Sequence, residues 1–150
     1  MIHRDIKLDN ILLDCEKGVK ICDFGVSKII KKGQVIKEQC GTPAYLAPEI
    51  IIDTGYEGFF VDIWSLGVLL FAMLCGTVPF KAPTLEELHK LILAGDFTIP
   101  ETLSQEAKDL IHGMIRLEPG DRLTIPQILS HAWLKETNEM ATDSEEEEET

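Results

Sequence analysis

The 150 residues carry 14 basic and 26 acidic side chains, a net charge of −12, with 45% hydrophobic and 27% charged residues. That length and composition describe one soluble globular domain and exclude a wholly disordered chain. Residues 136–150 hold eight of the acids and no Lys or Arg, which leaves residues 1–135 at −4, without the positive excess that general nucleic-acid binding requires.

Residues 11–14 and 19–22 are short apolar runs separated by Cys15-Glu16-Lys17-Gly18, and the permissive backbone of Gly18 predicts a small β-hairpin. Residues 26–45 carry Lys28, Lys31, Lys32 and Lys37 with weak periodicity and read as a long functional loop. After Pro48 the pattern is helical. Ile63 to Cys75 is apolar on nearly every side, too short for a bilayer, and predicts a helix buried all round. Thr84-Leu-Glu-Glu87 is a capping-box signature for a helix with Leu88, Leu91 and Ile92 inward. Ser104 caps a second helix that buries Ala107, Leu110, Ile111, Met114 and Ile115. Thr124-Ile-Pro-Gln127 opens a third, with Ile128, Leu129, Ala132 and Trp133 expected to face the core. From Glu136 onward apolar residues thin out and like charges accumulate, so residues 136–150 are expected to form an acidic disordered tail. Cys15, Cys22, Cys40 and Cys75 show no metal-ligand spacing and follow no leader, so they are expected as reduced, intracellular thiols.

Chemistry concentrates in three places. His3-Arg4-Asp5-Ile6-Lys7-Leu8-Asp9-Asn10 is followed by Asp23-Phe24-Gly25 and then by Ala47-Pro48-Glu49. Each triplet alone is weak, but all three in order, with Lys7 and Asn10 correctly spaced, resemble the protein kinase family. The resemblance implies a mainly α fold with a small β-hairpin, the C-terminal, large lobe of a kinase domain, present over residues 1–135. Phosphoryl transfer rests on positioning and charge neutralisation. By resemblance Asp5 is the catalytic base, and Asn10 and Asp23 hold the Mg²⁺ that accompanies ATP, as hard oxygen ligands suit that ion. Lys7 neutralises the transferring phosphate, and Cys22 lines the back of the nucleotide site.

Lys7 together with Gly41-Thr42-Pro43 resembles the serine/threonine kinases, with Thr42 expected to contact Asp5 and Lys7 beside the substrate. By the same resemblance Asp9 occupies a place where basic-directed kinases often carry an acid, so a preference for Arg upstream of the target hydroxyl is expected. Asp62, in Asp62-Ile-Trp64-Ser-Leu-Gly67, is expected to tie down the backbone around His3 and Arg4. Arg122 is expected to pair with Glu49. Gly55-Tyr56-Glu57-Gly58 and the run from Gly76 to Phe80 are most similar to the calcium/calmodulin-dependent and AMP-activated branch. The threonine that many family members phosphorylate is Glu38 here, expected to engage Arg4, with Lys28 as a second basic ligand.

No glycine-rich loop and no V-A-I-K lysine occur in these 150 residues. The chain is therefore expected to start at an internal methionine and to be silent alone for want of the small, ATP-covering lobe. The alternative is a half-kinase that docks partners without catalysis. Protein substrates are the expected partners, with a regulatory partner or the missing small lobe, and with neither nucleic acid nor membrane; the expected compartment is the cytoplasm.

Overall fold

A computed structural model describes residues 1–16 and 18–135. The expected acidic tail at 136–150 lies outside the described residues. Those described form a helix-rich body with two small sheets. The first sheet is the hairpin of β1 (Ile11–Asp14) and β2 (Gly18–Ile21), antiparallel with Ile11 opposite Ile21 and Asp14 opposite Gly18. The second strand begins one residue earlier than expected, because Gly18, at φ 77°, both closes the turn and joins the ladder.

The segment expected to be loop from 26 to 45 is more ordered than its periodicity suggests. Within it β3 (Val35–Ile36) pairs antiparallel with β4 (Tyr56–Glu57), and a 3₁₀ turn spans Pro43–Tyr45. Ile2 and Lys28 add an isolated bridge, their N–H groups donating to each other's carbonyls at 2.8 and 3.0 Å. Then come α1 (Pro48–Ile52), α2 (Phe59–Cys75), α3 (Leu85–Ala94), α4 (Gln105–Met114) and α5 (Ile125–Leu129).

Helix α2 is the axis of the body. It buries Val61, Ile63, Trp64, Val68, Leu69, Leu70, Phe71 and Ala72, so its apolar girdle is enclosed along the middle turns, while Met73 and Leu74 near its end are exposed. The Trp64 ring stacks on Phe80 with 5.7 Å between centroids, and Phe80 meets Phe97 edge-on at 5.5 Å, which fixes the loops around α3 and α4 to α2. The capping residues act as their chemistry dictates. Thr84 and Ser104 hydroxyls accept from the amides of Glu87 and Ala107, and Thr124 with Gln127 closes a reciprocal box.

Two expected core positions lie outside. Leu129 is 69% exposed and Ala132 is exposed, whereas Ile128 is buried and Trp133 half-buried. Helix α5 stops at Leu129, and the chain re-enters helix only at 132–135, so a single 3.6-residue period does not run through the break.

Gly67 lets α2 and α4 touch. A Cβ there would lie 2.8 Å from Cγ1 of Ile115 and 2.9 Å from Cβ of Met114. Gly67→Ala gains about 0.5–1 kcal/mol of helix propensity but overpacks at a cost of about 1–3 kcal/mol. The expected result is a lower urea midpoint with an unchanged slope; a raised midpoint would mean that α4 can move aside.

Candidate active site

The segment from His3 to Asn10 is held by its own polar groups. Asp62 of α2 accepts the main-chain N–H of His3 at 2.7 Å and of Arg4 at 2.9 Å. Arg4 turns there with φ 70°, a conformation that costs a non-glycine residue about 1–3 kcal/mol and persists because both amides are pinned. Burial pushes the Asp62 carboxyl above its ordinary value, opposed by the two N–H donors.

His3 has a part that the sequence reading missed. Its buried ring takes the N–H of Asp5 at Nδ1, 3.1 Å away, and its Nε2 lies 2.9 Å from the carbonyl of Cys22. Together these bonds select the neutral tautomer with hydrogen on Nε2, because Nδ1 must accept and a carbonyl needs a donor. The ring also meets Phe24 edge-on at 4.8 Å. The His-Arg-Asp and Asp-Phe-Gly motifs are thus fastened through one imidazole. The only signal for this in the sequence is His3 itself, at the head of the first motif.

Asp5 is oriented from two sides. Thr42 Oγ1 donates to Asp5 Oδ1 at 2.8 Å, and Asn10 Nδ2 donates to the Asp5 carbonyl at 2.8 Å and lies 3.5 Å from Oδ2. Thr42 therefore meets Asp5 as expected. It makes no hydrogen bond to Lys7, whose side chain is half-buried and carries no side-chain hydrogen bond among the described residues. Asp9 is exposed on the 3₁₀ turn Leu8–Asn10.

The main-chain N–H of Cys22 donates to the Asn10 carbonyl at 2.9 Å, which brings Asp23 alongside Asn10. Asp23 sits at φ 60° with its carboxylate exposed, accepting the Gly25 N–H at 3.3 Å. Since Asn10 commits its amide nitrogen to Asp5, its Oδ1 remains for a ligand. An amide oxygen and a carboxylate on adjoining segments are hard donors, so this pair fits Mg²⁺. Cys22 is half-buried with a free thiol.

Glu38 bridges Arg4 and Lys28, with Oε2 2.7 Å from Arg4 Nη1 and Oε1 2.8 Å from Lys28 Nζ. Arg4 Nε donates in addition to the Val26 carbonyl at 2.5 Å. Farther along, Arg122 has a fully buried side chain and grips Glu49 with both terminal nitrogens, at 2.6 and 2.8 Å. It also donates to the carbonyls of Arg116 and Phe60, and its guanidinium lies 5.0 Å from the Trp64 ring centroid. Removing one partner of such a buried pair costs about 3–5 kcal/mol.

The Lys28 hydrogen bond, then the Arg4 hydrogen bond, lower the Glu38 carboxyl to about 2. A depressed carboxyl contributes stability above its unfolded value of 4.5 and loses it as pH falls through about 2. A carboxyl-carbon NMR titration is expected to place Glu38 near 2, and Lys28→Ala to move it back toward 4.5. A wild-type midpoint near 4.5 would show that the bridge does not form.

Comparison with known proteins follows the same lines. The family model for the protein kinase domain matches residues 1–134. The chain is 43% identical over 139 residues to the probable serine/threonine-protein kinase MARK-A of Dictyostelium discoideum, covering 93% of this chain and 13% of that protein. It is 43% identical over 136 residues to the serine/threonine-protein kinase SIK3 homolog of Danio rerio, covering 91% of this chain and 12% of that one. It is 44% identical over 135 residues to the serine/threonine protein kinase OSK3 of Oryza sativa subsp. japonica, covering 90% and 27%. The chain thus spans only about an eighth to a quarter of these relatives. With the three motifs in order, the domain match and these identities in agreement, the chain belongs to the serine/threonine protein kinase family.

Proposed function

We propose that this chain is the large-lobe half of an ATP-dependent protein kinase that phosphorylates serine or threonine in protein substrates. The observation that carries the reading is the Thr42–Asp5 hydrogen bond of 2.8 Å. It joins the motif that would hold the substrate to the carboxylate that would take its proton.

Asp5 is the general base, its Oδ1 steadied by Thr42 and its main chain by Asn10. Mg²⁺ bound with ATP would supply neutralisation of the phosphate charge. Asn10 Oδ1 and the Asp23 carboxylate would hold it. Lys7, whose ammonium is not spent on another side chain, neutralises the transferring phosphate. Cys22 borders the nucleotide, and Asp9 offers an exposed carboxylate for an Arg upstream of the target hydroxyl. Glu38 orders the loop through Arg4 and Lys28, so no loop phosphorylation is needed. Asp62 holds the catalytic loop, and the Glu49–Arg122 pair holds the end of the substrate segment. Gly55 to Gly58 and Gly76 to Phe80 support the calcium/calmodulin-dependent and AMP-activated branch. The free thiols of the described residues suit a reducing intracellular setting, and no helix among those residues is long and apolar enough to cross a membrane.

The β1–β2 hairpin supports silence of the 150 residues alone. Leu13, Val19 and Ile21, which the register places on one face of the hairpin, are 85%, 65% and 48% exposed, an apolar face that awaits a second folded unit above the nucleotide. The same face favours the second reading, a docking module without catalysis.

The two readings separate in one experiment. The chain alone and the chain joined to a glycine-rich, lysine-bearing small lobe are assayed with ATP, Mg²⁺ and Ser or Thr peptides. Transfer is expected only from the joined form, and Asp5→Asn is expected to lower it by about 10²–10⁴-fold. No transfer from the joined form, or none lost in Asp5→Asn, would favour docking or another base.

A further inference from the structure

The Glu38 bridge is short, but its carboxylate stands in solvent, with a side chain 58% exposed. Exposed ion pairs by themselves hold a loop weakly, because water screens them and two long side chains must be ordered. Something else has to fix the backbone of Glu38.

Tyr56 supplies that fixture. It is 5% exposed, and its hydroxyl donates to the main-chain carbonyl of Glu38 at 2.8 Å. Its own backbone is paired with Ile36, two residues before Glu38, in the β3–β4 ladder. Flanking glycines permit the approach. At Gly55, φ 92°, a Cβ would lie 2.5 Å from Val35 Cγ1; at Gly58 it would lie 2.4 Å from Ile2 Cδ1 and 2.9 Å from both Ile30 Cδ1 and Ile36 Cδ1. A side chain at either position would push the two segments apart.

We propose that Tyr56 is a positioning residue: through the Glu38 carbonyl it sets the height of the Glu38 carboxylate so that Arg4 and Lys28 are bridged together. The proposal rests on the reading of Glu38 as the group that orders this loop. The charged and titratable groups around the pair are Arg4 and Lys28 at Glu38, and Arg4 and Cys40 at Tyr56. Burial raises the Tyr56 phenol, so it stays a neutral donor across the working pH range. A second link runs in parallel, since Gln39 Nε2 donates to the Ile50 carbonyl at 2.8 Å. The loop therefore retains a backbone anchor when the hydroxyl is removed, and the Tyr56 effect reads out at Glu38 itself.

The test uses the whole chain, with Tyr56→Phe beside wild type. The ring stays, so the contacts of the phenyl face are kept and only the hydroxyl is lost. Glu38 is titrated through its carboxyl carbon, and amide exchange is followed along α2 and α4. The wild-type midpoint near 2 is expected to rise by about one pH unit in Tyr56→Phe, about a tenfold loss in preference for the bridged state, with α2 and α4 protection unchanged. A wild-type midpoint near 4.5 would defeat the bridge itself. A wild-type midpoint near 2 that Tyr56→Phe leaves in place would defeat the positioning role alone. Loss of α2 and α4 protection in Tyr56→Phe would also overturn it, since the hydroxyl would then serve the core.

Discussion

Two consecutive main-chain N–H groups, those of His3 and Arg4, converge on the carboxylate of Asp62, and every other feature of the site hangs from that point. Asp62 sits in the first turn of α2, whose middle turns are enclosed in the core, so the carboxylate is carried on a packed element. With both amides held, Arg4 can keep its left-handed backbone and send its guanidinium to Val26 and Glu38. His3 can then present its ring between Asp5 and Cys22. The arrangement has a cost that pH exposes. The Asp62 carboxyl is raised in the fold, so its contribution favours the protonated form and is lost as pH climbs above the ordinary carboxylate range. Stability is given up at Asp62 in exchange for geometry.

The segment from Glu38 to Glu49 is fastened at both ends by a carboxylate, and the two fastenings differ in kind. At one end Glu38 meets Arg4 and Lys28 in solvent, where charge is screened and neighbouring backbone bonds must supply rigidity. At the other, Glu49 meets Arg122 in a dry setting, with the remaining guanidinium donors taken by carbonyls. Thr42 lies between, and its bond to Asp5 ties the middle of the segment to the loop from His3 to Asn10.

The residues within Asp5 to Asn10 and Asp23 to Gly25 were readable because type and spacing over a few residues encode them. Asp62 and Arg122 act across 59 and 73 residues from their partners, so only the family resemblance pointed to them. The β3–β4 pair was invisible because two-residue strands have no period, and Tyr56 went unassigned with it. The roles of His3 and Tyr56 depend on a ring and a hydroxyl meeting main-chain groups, which side-chain patterns do not encode. Ala132 was misplaced for the opposite reason, a real period extended past the end of a five-residue helix, while Leu129, the last residue of that helix, turns to solvent beside the buried Ile128.

The claim that Asp62 carries the loop is tested most directly by amide hydrogen exchange in Asp62→Asn. The amide side chain keeps the size but loses one acceptor oxygen and turns a donor toward a donor. Exchange at the His3 and Arg4 amides should accelerate by about tenfold or more, consistent with about 1–3 kcal/mol for a lost buried partner, while α4 amides stay protected. Unchanged protection at His3 and Arg4 would show that the loop is held by something other than Asp62.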